Sequence, residues 1–410
     1  MEMTCCNQSM KRSIYVVDDQ AGVLDTAVMI LRCIDPDWVV EGFKDPLEAL
    51  LAVQARPPDL VLSDQLMPGM LGSQLLEEVR AVSPGTIRVI MSGFVALNKL
   101  TLITSAHQYL AKPFDSAKLR ELIQRGFAAR ERIADPGLQT VIASLRSIPS
   151  LPQVHQSLLA ELEDHRHGSS AIGRMVAADA GLSVKVLQLA NSPLFGQGYL
   201  ITSPIDAVLC LGTDLIAALV FSQSLFRHYE KLAHPELEVT RVWNHCWETA
   251  FLAQHICQEK QLPRKMAEEA FLAGLLHETG RLILIDNFPD RFQAACDAAR
   301  QSKSPLAPRL REVFQTGTPQ ITAYLLELWG MPTPVVEAIA AQEKPDGFPP
   351  GVFSIAAALY LANGVANCIC PPDDWAVEEW NKPYLESIGC AGDVVAWEKL
   401  PPSNGPGGTS

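Results

Sequence analysis

Two different hydrophobic periods divide the chain. Between residues 13 and 132, short apolar runs alternate with amphipathic stretches that repeat every three to four residues. The apolar runs are typical of strands and lie at 13–18, 38–43, 59–64, 88–92 and 108–112. The amphipathic stretches are typical of helices and include 47–56, 73–81 and about 116–132. Five strand–helix units in this order predict an α/β domain with a doubly wound, five-stranded parallel sheet.

Beyond residues 134–137 the strand-like alternation stops, and long stretches with a 3.6-residue period take over. These stretches predict an all-α second half, in which prolines and glycines mark the breaks between helices. We therefore expect a multidomain protein in six parts. They are a flexible N-terminus over 1–12, the α/β domain over 13–132, a linker over 133–144, a helical domain over 145–345, a C-terminal helical extension over 346–400 and a disordered tail over 401–410.

Length and charge narrow the function classes. The 410 residues suffice for two or three domains. Lysine and arginine total 33 against 46 acidic residues, a net charge of −13, which disfavours binding to nucleic acid or to an anionic membrane. The start lacks the apolar core of a signal peptide, and no apolar run reaches the ~18 residues of a membrane span. Ten scattered cysteines without a C-x-x-C pair are typical of reduced thiols, so we expect a cytoplasmic protein.

Acidic residues end two of the predicted strands. Asp18 and Asp19 end the first strand and Asp64 ends the third, and the carboxyl ends of parallel strands meet at one edge of a sheet. Three carboxylates in one crevice repel one another unless they hold protons or a cation. Such oxygen ligands suit Mg²⁺, and an aspartate beside Mg²⁺ can attack a phosphoryl donor. Ser92 and Lys112, at the ends of two further strands, would contact the transferred group.

A single aspartate at a strand end usually caps a helix or faces solvent, so only the five positions together indicate a site. The segments VVDD, LVLSDQLMPGMLG, VIMSG and YLAKPF surround them, in an order and spacing that resemble the receiver domain of two-component response regulators. The resemblance implies that Asp64 accepts a phosphoryl group from a histidine of a sensor kinase. Mg²⁺ would bind to Asp19, Asp64 and the Leu66 carbonyl. Asp18 would act through a water molecule.

The same resemblance implies roles for further residues. Ser92 and Lys112 would contact the phosphoryl group, and Tyr109 would be the aromatic residue that moves on activation. The Lys112–Pro113 bond resembles the cis peptide of the family. Gln65, beside the acceptor, departs from the usual aliphatic residue. We expect this difference to alter the lifetime of the phosphoryl group and not its chemistry.

The helical half carries one candidate site, at His277 and Glu278 in AGLLHETGRL. An adjacent histidine and acid on a helix resemble the motif of HD-type metal hydrolases, with His245 as an upstream ligand. Such a site needs further histidine and aspartate ligands, and none of the nine histidines lies after residue 277. Glu278 is also one methylene longer than the aspartate of the motif. We therefore interpret His245 and His277 as buried core histidines, to which His255 adds no ligand.

Longer motifs in this half resemble the HDOD domain, the HD-related output domain, from about residue 145 to 345. They include IPSLPQV, VAADAGLSVKVLQLANSPLFG, ITSPIDAVLCLG, AGLLHETGRL and ITAYLLELWGMP. The catalytic positions of active relatives match poorly, because Glu278 replaces an aspartate and Asn363 lies where another aspartate is expected. Residues 318–319 and 342–343 also lack the histidines that relatives often carry there. The resemblance implies a degenerate HD-like domain that signals without catalysis, by binding a partner or a nucleotide.

Together these features predict a two-component response regulator whose phosphorylation controls protein–protein contact. Phosphorylation of Asp64 would rearrange Ser92, Tyr109 and the face over 94–105. That change would alter domain docking or homodimerisation. The expected partners are a sensor histidine kinase and a downstream signalling protein, such as a nucleotide-signalling enzyme.

Two alternatives stay open. One is a phosphorylation-gated, metal-dependent phosphodiesterase that acts on a cyclic dinucleotide through His245, His277 and Glu278. The other is a DNA-binding regulator, which the net charge of −13 disfavours. The aromatic residues of the extension either pack onto the helical domain or form a partner surface; they are Trp375, Trp380, Tyr384 and Trp397.

Overall fold

A computed structural model describes most of the chain. The described residues are 12–92, 105–145, 158, 169–191, 200–213, 216, 235–343, 353–371 and 380–400. They fall into two compact units, one within 1–126 and one within 127–410. The predictions for the N-terminus over 1–11, for the tail over 401–410 and for most of the face over 94–105 lie outside the described residues.

The first unit contains a five-stranded parallel sheet, which confirms the predicted fold class. Its strands are β1 (Ser13–Val17), β2 (Val39–Phe43), β3 (Leu60–Asp64), β4 (Ile87–Ser92) and β5 (Gln108–Ala111). They lie side by side in the order β2-β1-β3-β4-β5. The helices that the structure describes in this part of the chain are α1 (Ala21–Ile34), α2 (Pro46–Ala55), α3 (Gly72–Val82) and α4 (Ser116–Glu131), which crosses the boundary between the units.

The central strands β1, β3 and β4 are apolar because both faces of the sheet are covered. Every residue of β3 and β4 is buried, and so are the last four residues of β1. All five strands begin and end within one residue of their predicted bounds. Continuous apolar runs of this length are therefore a sufficient signal for the strands of this sheet.

The register of the sheet places the predicted site residues at one edge. The last paired residues of β1 and β3 are followed by Asp18 and Asp64. Ser92 lies one residue beyond the partner of Asp64 on β4. Lys112 lies one residue beyond the partner of Ser92 on β5. The pairing of the strands, and not any single residue, thus gathers these side chains.

The described elements of the second unit are helical, which confirms the predicted all-α half. They are α5 (Pro136–Ser144), α6 (Ser169–Ala177), α7 (Ala180–Ala190), α8 (Pro204–Leu211), α9 (Pro235–Glu259), α10 (Arg264–Leu276), α11 (Thr279–Asn287), α12 (Pro289–Ser302), α13 (Leu306–Phe314), α14 (Thr318–Leu328), α15 (Thr333–Ala340), α16 (Ile355–Ile369), α17 (Lys382–Ser387) and α18 (Val394–Trp397). Pro136, Pro204 and Pro289 begin their helices, where a missing N–H group costs nothing. Within the described ranges, no helix has the length and apolar character that crossing a membrane requires.

The segment predicted as a linker, 133–144, is a helix over most of its length. Asp135 caps the start of α5 by accepting hydrogen bonds from the Gly137 and Leu138 N–H groups at 2.8 and 3.2 Å. Leu138 and Ile142 are buried, and α5 packs against α14 within the second unit. The structure thus shows a packed helix where the sequence suggested a linker, because the apolar positions of this segment face one side of a helix and are buried there.

The core of the second unit forms around α9, which packs against α10 and α16. At the crossing of α9 and α10, a Cβ atom on Gly274 would lie 2.5 Å from the Cα atom of Ala250. Only glycine lets two helix backbones approach this closely. The close approach buries both residues and joins the two helices without a gap.

The C-terminal extension packs onto the helical unit, which decides between the two interpretations of its aromatic residues. The Trp380 ring covers Gly364 on α16 so closely that a side chain at Gly364 would overlap it. Trp397 is 3% exposed and donates a hydrogen bond from Nε1 to Glu259 Oε2 at 2.6 Å. Trp375 lies outside the described residues. Trp397 therefore packs onto α9 of the helical domain, and Trp380 packs onto α16 within the extension itself.

We predict that Gly274→Ala destabilises the second unit, because the added methyl group forces α9 and α10 apart. Overpacking of this kind costs about 1–3 kcal/mol in the free energy of unfolding. Urea denaturation followed by tryptophan fluorescence measures it, since six of the seven tryptophans lie after residue 242. Gly392→Ala is the matched control, because a Cβ atom there meets nothing within 4 Å. Equal stability of the two variants would contradict the prediction.

Candidate functional site

Two buried carboxylates and one lysine meet at the carboxyl edge of the sheet. Asp18 is 0% exposed and Asp64 is 6% exposed. The Lys112 ammonium group lies 2.7 Å from Asp18 Oδ2 and also contacts Asp64 Oδ1. Lys112 therefore forms an ion pair with both acids and offsets the repulsion between them.

Backbone N–H groups orient the second oxygen of each carboxylate. Leu66 N donates to Asp64 Oδ2 at 2.8 Å, and Gln20 N donates to Asp18 Oδ1 at 3.0 Å. Burial raises the pKa of the Asp64 carboxyl and outweighs the lowering effect of Lys112, so that pKa lies above its ordinary value. Asp64 is thereby held in one orientation at a site from which most water is excluded.

Asp19 differs from Asp18 because one of its oxygens has no partner. Asp19 Oδ1 is buried and makes no hydrogen bond to any residue that the structure describes. No three His, Cys, Asp or Glu side chains of the described part are arranged to enclose a metal ion. The predicted set of two carboxylates and the Leu66 carbonyl does not need such a cluster, because Mg²⁺ keeps several of its waters. The unsatisfied oxygen and the oxygen-rich donor set fit Mg²⁺ in their chemistry.

The other predicted residues of the first unit lie on β4 and β5. Ser92 is the last residue of β4 and is 7% exposed. Tyr109 pairs with Ile90 across the two strands and is half-buried. The Lys112–Pro113 peptide bond is cis, as the resemblance implies. The structure thus brings Ser92 and Lys112 to one edge and places Tyr109 three residues before the lysine.

Gln65 directly follows Asp64 and forms hydrogen bonds to the start of α3. Its side chain accepts a hydrogen bond from Ser73 N at 3.1 Å and donates one to Ser73 Oγ at 3.2 Å. Its carbonyl oxygen accepts a hydrogen bond from Gly72 N at 3.0 Å. A side chain at Gly72 would overlap the Asp64 carbonyl oxygen, so this approach requires glycine. Any effect of Gln65 on the phosphoryl group would act through this loop.

The second unit places two buried histidines in contact. His245 on α9 is 1% exposed and His277, after the end of α10, is 0% exposed. Their Nε2 atoms lie 3.3 Å apart. His245 Nδ1 lies 3.0 Å from the Cys370 carbonyl oxygen, and His277 Nδ1 lies 2.7 Å from the Gly274 carbonyl oxygen. Asn363 Oδ1 lies 2.9 Å from His245 Nε2.

These two histidines, which we call the histidine pair, are neutral at pH 7. Burial lowers the pKa of His245 and of His277 to about 4 in each case. The neighbouring ring of His277 lowers the pKa of His245 further. Glu278 Oε1 lies 3.9 Å from His277 Nε2, which is too far for a hydrogen bond.

Of the positions that differ from active relatives, Asn363 joins the histidine pair directly. His255 is exposed and adds nothing to it. Sequence reasoning missed the carbonyl groups of Gly274 and Cys370, because a backbone acceptor carries no residue signature. Their positions follow from how α10 and α16 pack against α9.

A buried lysine was also missed by sequence reasoning. Lys185 on α7 is 3% exposed, and its Nζ atom lies 3.2 Å from Gln188 Oε1. The same atom lies 4.6 Å from the centre of the Trp329 ring, a cation–π contact. Burial lowers the pKa of Lys185 to about 7. Trp329 is a core residue, as predicted, and its ring also covers this amine.

Two family profiles match the chain. The response regulator receiver domain matches residues 14–124, and the HDOD domain matches residues 148–345. The chain therefore carries a receiver domain followed by an HDOD domain. This domain composition is that of a response regulator of two-component signalling, with HDOD in the output position.

Several known proteins share parts of this architecture. The cyclic di-GMP phosphodiesterase response regulator RpfG of Xanthomonas campestris pv. campestris (strain 8004) is 27% identical over 208 residues, 45% of this chain and 54% of that protein. The DNA-binding response regulator MtrA of Mycobacterium tuberculosis (strain ATCC 25618 / H37Rv) is 35% identical over 128 residues, 31% of this chain and 54% of that protein. The chain thus spans about half the length of these relatives. The MmoQ response regulator of Methylococcus capsulatus str. Bath shares the fold, with a TM-score of 0.50 at 22% identity over 62% of this chain and 98% of that chain.

We predict that the histidine pair makes the second unit less stable as the pH falls from about 6.5 towards 4. In the unfolded chain each histidine takes a proton near pH 6.5, whereas in the folded unit its pKa is about 4. Stability is therefore fully present above pH 6.5 and is lost below it, by on the order of 1 kcal/mol per pH unit for each histidine.

Urea denaturation at a series of pH values measures this slope. His277→Gln should make the slope shallower, because the variant has one fewer group that gains a proton on unfolding. His255→Gln is the matched control, since His255 is exposed and its replacement should leave the slope unchanged. An identical slope in all three proteins would contradict the assignment of the depressed pKa to the pair.

Proposed function

We propose that Asp64 accepts a phosphoryl group from a histidine of a sensor kinase and that this modification controls a non-catalytic HDOD domain. The observation that carries the proposal is the contact of Lys112 with both Asp18 and Asp64 at the carboxyl edge of the sheet. A lysine in this place can neutralise the acceptor before transfer and the transferred group afterwards.

The transfer forms one bond and breaks one bond. An oxygen of Asp64 attacks phosphorus, the P–N bond of the kinase phosphohistidine breaks, and its electron pair leaves with the imidazole. The Leu66 N–H group, 2.8 Å from Asp64 Oδ2, keeps the carboxylate oriented for attack. Lys112 then pairs with the phosphoryl oxygens. Mg²⁺ held by Asp19, Asp64 and the Leu66 carbonyl would supply further neutralisation of charge.

Phosphorylation changes the charge of the crevice, and that change is the signal. The acyl phosphate carries about two negative charges in place of the single charge of the Asp64 carboxylate, beside the buried carboxylate of Asp18. We expect Ser92 and Tyr109 to rearrange in response, together with the face over 94–105. Altered docking or homodimerisation would then expose or hide a surface of the HDOD domain for a downstream signalling protein, such as a nucleotide-signalling enzyme.

The state of the histidine pair supports an output without catalysis. Hydrolysis at an HD-type centre requires metal ligands and an open position for water. His245 and His277 are 1% and 0% exposed, and both ring nitrogens of each lie within hydrogen-bond distance of another protein atom. Asn363 and Glu278 replace the aspartates expected in active relatives. We therefore assign the output to binding.

The second candidate function is a metal-dependent phosphodiesterase acting on a cyclic dinucleotide through His245, His277 and Glu278. It is favoured by the likeness to RpfG, whose name states such an activity, and by the convergence of the two Nε2 atoms at 3.3 Å. Stoichiometric transition metal in the purified chain, with hydrolysis of cyclic di-GMP that His277→Ala abolishes, would establish it. Without metal and turnover, this candidate fails.

We predict that Asp64→Asn abolishes phosphorylation by acetyl phosphate in the presence of Mg²⁺, because a neutral amide is not a nucleophile towards phosphorus. Intact-mass spectrometry measures the phosphorylated fraction. Asp25→Asn removes one carboxylate from an exposed position on α1 and is expected to be labelled like the unmodified chain. Persistent labelling of Asp64→Asn would remove the proposed acceptor.

We predict that beryllofluoride with Mg²⁺, a mimic of an aspartyl phosphate, changes hydrogen exchange both around Asp64 and within the HDOD domain over 148–345. Asp64→Asn treated in the same way shows which changes need the acceptor. Changes confined to 14–124 would contradict control of the HDOD domain. Unchanged exchange throughout the chain would contradict the role of Asp64 itself.

A further inference from the structure

The backbone defines which ring nitrogen of each paired histidine carries a hydrogen. His245 Nδ1 lies 3.0 Å from the Cys370 carbonyl oxygen, and His277 Nδ1 lies 2.7 Å from the Gly274 carbonyl oxygen. A carbonyl oxygen can only accept a hydrogen bond. Both Nδ1 atoms are therefore N–H donors.

The two Nε2 atoms are then both acceptors that face each other. A neutral imidazole carries one hydrogen, so a ring with Nδ1–H has a lone pair on Nε2. The rings are 1% and 0% exposed, and burial keeps them neutral. Two lone pairs 3.3 Å apart in a buried site repel each other unless a hydrogen-bond donor or a cation lies between them.

The Asn363 side-chain amide is placed to supply the missing donor. Its Oδ1 atom is placed 2.9 Å from His245 Nε2 and 3.5 Å from Asn367 Nδ2, and the amide is also a hydrogen-bond partner of His277. The oxygen and nitrogen of an amide have nearly the same shape, so their assignment follows from the hydrogen-bond network. Here the network requires the NH₂ group to face the rings. That group has two hydrogens, one for each Nε2 atom.

We propose that the Asn363 amide bridges His245 and His277, and that it takes the place between the two Nε2 atoms that a divalent cation could otherwise fill. The centre is then satisfied without metal, which explains how two facing histidines persist in the core. The bridge depends on the hydrogens of the amide. A carboxylate at the same position offers acceptors only, so Asn363→Asp converts the centre into three converging acceptors that suit a cation. The proposal is independent of the phosphoryl chemistry at Asp64.

The packing of α16 holds the bridge in place. Asn363 is followed by Gly364, which the Trp380 ring of the extension covers at contact distance. The carbonyl of Cys370, at the end of the same helix, accepts the hydrogen bond from His245. One helix therefore presents both the amide and a carbonyl to the pair, and the Trp380 ring packs against that helix.

Titration of the full chain with Co²⁺ tests the proposal, because the visible spectrum of Co²⁺ separates nitrogen and oxygen ligands from cysteine thiolates. We expect Asn363→Asp to bind one equivalent through nitrogen and oxygen at least about tenfold more tightly than the unmodified chain. Asn381→Asp makes the same chemical change at the start of α17, where an aspartate also caps a helix, and should bind like the unmodified chain. Equal binding by all three proteins, or equal gain in both variants, would overturn the proposal.

A second measurement takes its result from the unmodified chain. Long-range ¹H–¹⁵N spectra of the unmodified chain with labelled histidine report the tautomer of each ring, and His277→Gln assigns one of the signals. We expect Nδ1–H on both His245 and His277, with neither Nε2 protonated between pH 6 and 8. A proton on either Nε2 atom in that range would show that the amide is not the bridge.

Discussion

The ion pair of Lys112 with two buried aspartates is the constraint on which the first unit depends. Asp18 and Asp64 are almost fully buried at neighbouring strand ends, where two negative charges repel each other. At an effective dielectric constant of about 20, a lysine about 3 Å away attracts each of them by about 5 kcal/mol. Burial still raises the pKa of Asp64, so desolvation outweighs this attraction at the acceptor. The crevice is therefore short of positive charge, a state that favours the binding of a divalent cation.

The second unit has a buried polar centre that is neutral, whereas the buried centre of the first unit is an ion pair. The histidine pair carries no charge, and its Nδ1 atoms are satisfied by carbonyl groups of α10 and α16. Gly274 has two roles. Its missing side chain lets α9 approach α10, and its carbonyl oxygen accepts a hydrogen bond from His277 Nδ1. A neutral, saturated centre of this kind stabilises one arrangement of helices.

A feature could be predicted where it depends on neighbouring residues in the sequence. It could not where it depends on residues far apart in the sequence. The five strands were predictable because a buried parallel strand is a continuous apolar run, and the acids that follow such runs necessarily meet at one edge. His245 and Asn363 lie 118 positions apart, so their contact depends on how α9 and α16 cross. The hydrogen bonds to Cys370 and Gly274 involve backbone atoms and leave no trace in residue identity. For the same reason α5 was mistaken for a linker, since its nine residues become a stable helix only by packing on α14.

These two centres limit the ways in which a signal can leave the protein. In the proposed function, phosphorylation of Asp64 changes the charge at the carboxyl edge of the sheet, whereas the histidine pair is buried and neutral at pH 7. A modification can only shift an equilibrium between states in which it has different free energies. We therefore propose that the two states differ at a surface of the HDOD domain, which is free in one state and bound to a partner in the other. By reciprocity, a partner that binds the phosphorylated chain more tightly would also stabilise the phosphorylated state relative to the unphosphorylated one.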